Sequence, residues 1–224
     1  MTIEYLKKAI KTATSNEKET RDIVGDMLSE IALDKETAVK KFSRNLDGWD
    51  GNIVIEDEDI SIAASKVPDQ LKDDLKFAHE RIRCFAEHQK NSISEFETEL
   101  SPGLWAGQKL IPVNAAGCYV PGGRYVHVAS AIMSITTAKV AGVKNIIACS
   151  SPNKERGGIH PAILYTMDLC GADKILALGG VQGIAAMAFG LFDSPKVNIL
   201  AGPGNRFVAE AKRMLFGEVG IDLF

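Results

Sequence analysis

The chain has 224 residues, 46% of them hydrophobic, 25% charged and 7% aromatic, and its formal net charge is −3. Such a composition suits one large folded domain or two small ones. It lacks the run of about 18 apolar residues that a membrane helix requires and the basic excess of a general nucleic-acid binder, so neither membrane nor nucleic acid is an expected partner. Met1 to Lys11 mixes Glu4, Lys7 and Lys8 among apolar residues and does not read as a signal peptide. Cys84, Cys118, Cys149 and Cys170 are widely spaced with no CxxC. They argue against a disulfide framework or a Cys-based zinc site and point to a reducing, cytoplasmic setting.

The two halves differ. Residues 1–100 hold 22 acidic and 15 basic side chains, whereas residues 101–224 hold 7 and 11; three glycines fall in the first stretch and 17 in the second. Charged helices are expected first, then short elements joined by demanding turns. Ile23, Val24, Met27, Leu28 and Ile31 share a helical face, as do Ala38, Val39, Phe42 and Leu46. Asn45-Leu46-Asp47-Gly48 reads as a stop, extended by Gly51. A longer helix follows Pro68, with Leu71, Leu75, Ala78, Ile82 and Phe85 inward and Asp69, Asp73 and Asp74 near its positive end.

The second half alternates between apolar runs and helices. Strands are expected at Leu110–Val113, Gly117–Val120, Asn145–Cys149, Lys174–Leu178 and Val197–Leu200. Helices are expected at Val128–Ala141, Pro161–Cys170, from the Gly179-Gly180 turn to Phe189, and at Asn205–Phe216. Continuous apolar runs separated by helices indicate a parallel sheet covered on both faces. The expected class is therefore α/β: a Rossmann-like parallel-sheet domain over residues 109–224, preceded by a mainly helical region over 1–108.

In such sheets ligands lie beyond the carboxyl ends of the strands. Three loops there are glycine-rich: Tyr119-Val-Pro-Gly-Gly123, Leu178-Gly-Gly-Val-Gln182 and Ala201-Gly-Pro-Gly-Asn205. Glycine permits close backbone approach, and free N–H groups at a helix start suit an anion such as a pyrophosphate. The strict GxGxxG fingerprint is absent. Asn205 also suits a helix N-cap, and Tyr119 a half-buried strand aromatic.

Gly117-Cys-Tyr-Val-Pro-Gly-Gly123, Thr137-Ala-Lys-Val-Ala-Gly-Val143, Gly179-Gly-Val-Gln-Gly-Ile-Ala-Ala186, Gly202-Pro-Gly-Asn205 and Phe216-Gly-Glu-Val-Gly-Ile-Asp222 resemble the histidinol dehydrogenase family, with a weaker echo from Phe42 to Gly48. The resemblance implies a zinc- and NAD-dependent homodimer that oxidises a primary alcohol through an aldehyde to a carboxylate. It places Tyr119, Gln182 and Asn205 at NAD-contacting positions. After Pro121-Gly-Gly123 the chain reads Arg124-Tyr-Val-His127, which resembles the branch acting on 2,3-dihydroxypropane-1-sulfonate more than the branch acting on histidinol. A guanidinium and an imidazole can bind a sulfonate through charge-assisted hydrogen bonds. Arg124 is equally suited to an acidic side chain or a cofactor phosphate.

His79, His88, His127 and His160 show no helical zinc-ligand spacing, and His79, His88 and His160 are expected at the surface. In the family the zinc ligands and the catalytic Glu-His pair follow the Gly-Ile-Asp motif, here Gly220-Ile221-Asp222, after which only Leu223 and Phe224 remain. The resemblance thus implies the N-terminal half of an enzyme about twice as long, inactive alone and exposing apolar surface. Oxidation to sulfolactate is the favoured activity; oxidation of L-histidinol to L-histidine and a non-catalytic binding or assembly role are the alternatives.

Overall fold

The computed structural model describes residues 17–123 and 125–222. The readings of Met1–Lys11, Arg124 and Leu223–Phe224 lie outside the described residues. Apolar runs in the second half form five parallel strands: β3 (Ala115–Tyr119), β4 (Asn145–Ser150), β5 (Lys174–Ala177), β6 (Ile199–Ala201) and β7 (Gly220–Ile221). Their order is β5-β4-β3-β6-β7, the doubly wound 3-2-1-4-5 arrangement whose direction of winding reverses between β3 and β6. Register is set by pairs such as Cys118 with Ala148 and with Ala201.

Alternation along the strands builds two cores. Tyr119, Ile147, Cys149, Leu176 and Leu200 face one layer; Cys118, Val120, Ile146, Ala148 and Ile175 face the other. The first face is covered by α7 (Gly180–Phe189) and α8 (Arg206–Leu215), with α1 (Glu17–Asp34) and α2 (Glu36–Phe42) packed outside them. The second is covered by α5 (Val128–Ala141) and α6 (Pro161–Leu169), backed by α4 (Asp69–Asn91) and α3 (Asp57–Ser65). The helices of both halves therefore share the same two cores.

Several expectations shift for local reasons. Leu110–Val113 is not a strand; β3 begins at Ala115, two residues before the expected start at Gly117. Residues 96–108, assigned to the mainly helical region, form an antiparallel hairpin of β1 (Phe96–Ser101) and β2 (Leu104–Gln108) about Gly103, whose φ of 82° suits glycine. On α4 the inward residue is Ala86, not Phe85, which is 63% exposed. After α2 a single π-helical turn, Ser43–Asp47, shifts the periodicity and leaves Leu46 exposed. That same turn aims Asp47 at α7.

Ile53–Ile55 covers the β5 edge. The Ile55 N–H donates to the Ile175 carbonyl (3.0 Å) and the Ala177 N–H to the Ile53 carbonyl (2.7 Å). Pairing of this kind closes an otherwise open sheet edge. By contrast, the hairpin is exposed along its whole length, and Ile93, Leu110, Ile111 and Val113 line an apolar groove of about 660 Å³ beside it.

Candidate functional site

Because the strands are parallel, the loops after β3, β4, β5 and β6 emerge at one edge. They also touch. A Cβ on Gly122 would overlap the Ser150 hydroxyl, one on Gly179 the Ser151 side chain, and one on Gly202 the Tyr119 carbonyl. At Gly202 the backbone φ is 120°, so glycine is required by conformation as well as by space. A Cβ on Gly123 would meet nothing, so that position opens outward.

Tyr119 ends β3 and is buried, 4% exposed. The Gly180 N–H, in the first turn of α7, donates to its hydroxyl (3.1 Å). Burial pushes the phenol up to about 12, so it stays protonated and keeps its O–H as a donor. Its ring belongs to the core, buried more deeply than the half-buried strand aromatic expected, while its hydroxyl holds the turn that opens α7.

Gln182 lies two residues beyond Gly180 in the same turn and is 1% exposed. Its Nε2 donates to Asp47 Oδ2 (2.8 Å), a contact spanning 135 residues of sequence. Its Oε1 has no hydrogen-bond partner and lies against the Gly180 turn, 3.1 Å from where a Cβ on that glycine would stand. Leaving a buried carbonyl oxygen unmatched costs about 1–3 kcal/mol, so such an atom marks a place for an incoming donor. Burial raises the Asp47 carboxyl above its ordinary value, partly offset by hydrogen bonds from Gln182 and the Gly179 backbone.

Asn205 is exposed and caps α8. Its Oδ1 accepts from the Phe207 N–H (3.0 Å) and the Val208 N–H (3.1 Å), so the cap reading holds and Nδ2 is its remaining donor. The loop leading to it is fixed from below. The Lys212 ammonium, with the residue 3% exposed, pairs with the Asp222 carboxylate and donates to the Gly202 carbonyl (3.1 Å), while the Gly202 N–H donates to Asp222 Oδ2 (2.7 Å).

The structure thus gathers Tyr119 and Gln182 around Gly180 and puts Asn205 on the neighbouring loop at the winding reversal. His127 is exposed just before α5, with its ring edge-on to Tyr125 at 6.1 Å. His79 is not at the surface as expected: it is half-buried, its Nδ1 3.1 Å from the Thr136 hydroxyl. His160 caps α6, its Nδ1 accepting from the Ala162 N–H (3.2 Å). Asp47, Lys212 and Asp222 escaped the sequence reading, since a carboxylate before glycine looks only like a turn and a lysine in a charged helix looks solvated. No cluster of three His, Cys, Asp or Glu side chains among the described residues can hold a metal. All four thiols are free, and burial pushes Cys118 up to about 12.

A parallel sheet of order β5-β4-β3-β6-β7 with helices on both faces, whose glycine-lined loops meet at the winding reversal, defines the doubly wound class of α/β protein. The sequence model of the histidinol dehydrogenase family matches residues 10–224, and the chain belongs to that family. It is 58% identical over its whole length to a histidinol dehydrogenase homolog of Pelagibacter ubique and 54% identical to the sulfopropanediol 3-dehydrogenase of Ruegeria pomeroyi, covering 52% and 51% of those proteins. It is 41% identical to the histidinol dehydrogenase of Methanococcus maripaludis, over 89% of this chain and 46% of that one. The crystal structure of histidinol dehydrogenase from Elizabethkingia anophelis superposes with a TM-score of 0.85 at 30% identity, over 98% of this chain and 48% of the other. The chain spans about half the length of the curated relatives it matches.

Proposed function

We propose that this chain supplies the NAD-binding part of a cytoplasmic, homodimeric dehydrogenase. The enzyme oxidises a primary alcohol through an aldehyde to a carboxylate, with 2,3-dihydroxypropane-1-sulfonate as substrate and sulfolactate as product. The observation that carries the reading is the unmatched, buried Gln182 Oε1 beside the Gly179–Gly180 turn, within a chain belonging to the histidinol dehydrogenase family.

The residues at the rim fit NAD. Asn205 Nδ2, on an exposed side chain, donates to a ribose or phosphate oxygen, the Gly179–Gly180 turn lets the cofactor backbone approach α7, and the buried Gln182 Oε1 behind that turn is the acceptor available to a ribose hydroxyl. Tyr119 holds that turn in place through its hydroxyl. NAD supplies the hydride acceptor for both oxidations. Residues 109–224 act as the cofactor unit, and the helices of 17–91 pack on both faces of its sheet and buttress it. The described residues offer no ligand set for zinc, so zinc enters only through family membership and through groups outside them. On this reading the chain alone binds NAD without turning over alcohol.

Arg124 and His127 favour the sulfonate, and the 54% identity to a sulfopropanediol 3-dehydrogenase, against 41% to the histidinol dehydrogenase of Methanococcus maripaludis, supports that choice. The test offers both alcohols to the native gene product with NAD and zinc and follows formation of reduced nicotinamide. Turnover of the sulfonate is the expected result. Turnover of L-histidinol alone would reverse the assignment, and turnover of neither would favour a non-catalytic role.

A further inference from the structure

Gln182 is an amide with two chemically different ends, and nothing in its own helix decides which end faces the cofactor rim. Asp47, on the π-helical turn after α2, makes that choice. An ionised carboxylate only accepts hydrogen bonds, so it takes the Nε2 end (2.8 Å) and leaves Oε1 buried and unmatched against Gly180. The carboxylate is itself steered by the Gly179 backbone, one residue before the turn that the Tyr119 hydroxyl holds. Asp47 is half-buried behind Gln182 and touches neither of the other two rim residues through a hydrogen bond the structure contains.

We propose that Asp47 is a positioning residue that locks the Gln182 amide with its oxygen toward the rim, so that the site selects a ligand group carrying a hydrogen-bond donor there, such as a ribose hydroxyl. The proposal rests on the NAD reading for the identity of the ligand, but the locking itself does not. An inverted amide would present two N–H donors to a hydroxyl-bearing ligand and leave its oxygen against a carboxylate. Protonation of Asp47 allows that inversion, because the neutral acid can donate to Oε1. Among the described residues, the titratable side chains that feel the Asp47 charge are Tyr119 and Cys149, each raised by it, and what shifts Asp47 itself is burial, Gln182 and the Gly179 backbone. Burial raises both, so they remain neutral in the acid range in which Asp47 titrates.

The test uses the whole chain, labelled with ¹⁵N, and follows the Gln182 side-chain amide pair, assigned by its loss in Gln182→Ala. NAD affinity is measured in parallel by calorimetry. In Asp47→Ala the amide pair should move to the position of an unbonded amide and NAD affinity should fall about 10-fold. Asp47→Asn keeps an acceptor and should restore the amide signal and most of the affinity. Wild-type affinity should weaken as pH falls into the range where Asp47 protonates, and the Asn variant should lose that dependence. An unmoved amide pair in a folded Asp47→Ala overturns the proposal, as does NAD affinity within about twofold of wild type. If wild type fails to bind NAD while the amide moves, the locking stands and the cofactor reading falls.

Discussion

Lys212 and Asp222 provide the sharpest test of how the loop between β6 and α8 is supported. The Lys212 ammonium is buried and has two acceptors, the Asp222 carboxylate and the Gly202 carbonyl; the same carboxylate accepts from the Gly202 N–H. Asp222→Asn removes the countercharge and strands a buried cation, for which the cost is about 3–5 kcal/mol. The Gly202 carbonyl and the new amide oxygen still accept from Lys212, which points to the lower end, about 3 kcal/mol, or more than a 100-fold change in the unfolding constant. Lys212→Met is milder. It removes the buried charge with a side chain of similar length and leaves a carboxylate that is 34% exposed and still bonded to Gly202, so about 1–2 kcal/mol is expected. The double variant should be more stable than Asp222→Asn alone, because the stranded cation is gone. Urea unfolding followed by far-UV circular dichroism measures all three, provided the slope with denaturant stays constant. An Asp222→Asn protein within 1 kcal/mol of wild type, or more stable than Lys212→Met, would refute the argument.

Three further outcomes are expected. Asn205→Ala should lower stability by about 1 kcal/mol through loss of the α8 cap, whereas Asn205→Asp should keep the cap and still weaken NAD binding; thermal melts and calorimetry separate the two roles. Gly202→Ala should be severely destabilising, since its Cβ would overlap the Tyr119 carbonyl at a φ of 120°, and a melt within experimental error of wild type would contradict the packing of that loop. His160 has its pKa lowered, first by burial and then by Arg156. The unfolded chain therefore binds this proton more readily, so the His160 contribution to stability is present above the unfolded value of about 6.5 and is lost as pH falls through the depressed folded value. In His160→Asn, an alternative cap, that part of the acid-side slope should vanish from urea midpoints measured across the range.

Much of this molecule is legible in one dimension because the relevant physics is local or periodic. Apolar runs of four to six residues with helices between them determine a two-sided parallel sheet, since strands buried on both faces cannot alternate with polar residues. Val128–Ala141 forms the expected helix, and Asn205 caps α8 because a short amide before a helical run can reach the first free N–H groups. Glycine at strand ends marks the rim, and motif order marks the family. What the sequence leaves open is everything decided by distant partners. Residues 96–108 form a hairpin whose side chains are exposed, so no burial pattern announces it. Leu46 and Phe85 have the right spacing and face outward, one shifted by a π-helical turn and the other displaced by Ala86. Asp47 meets Gln182 across 135 residues, and Lys212 is buried only because the β6–α8 loop folds over it. Which polar atoms end up unmatched depends on the full three-dimensional set of neighbours, and the unmatched Oε1 that defines the candidate site emerges only once the helical half has packed against the sheet half.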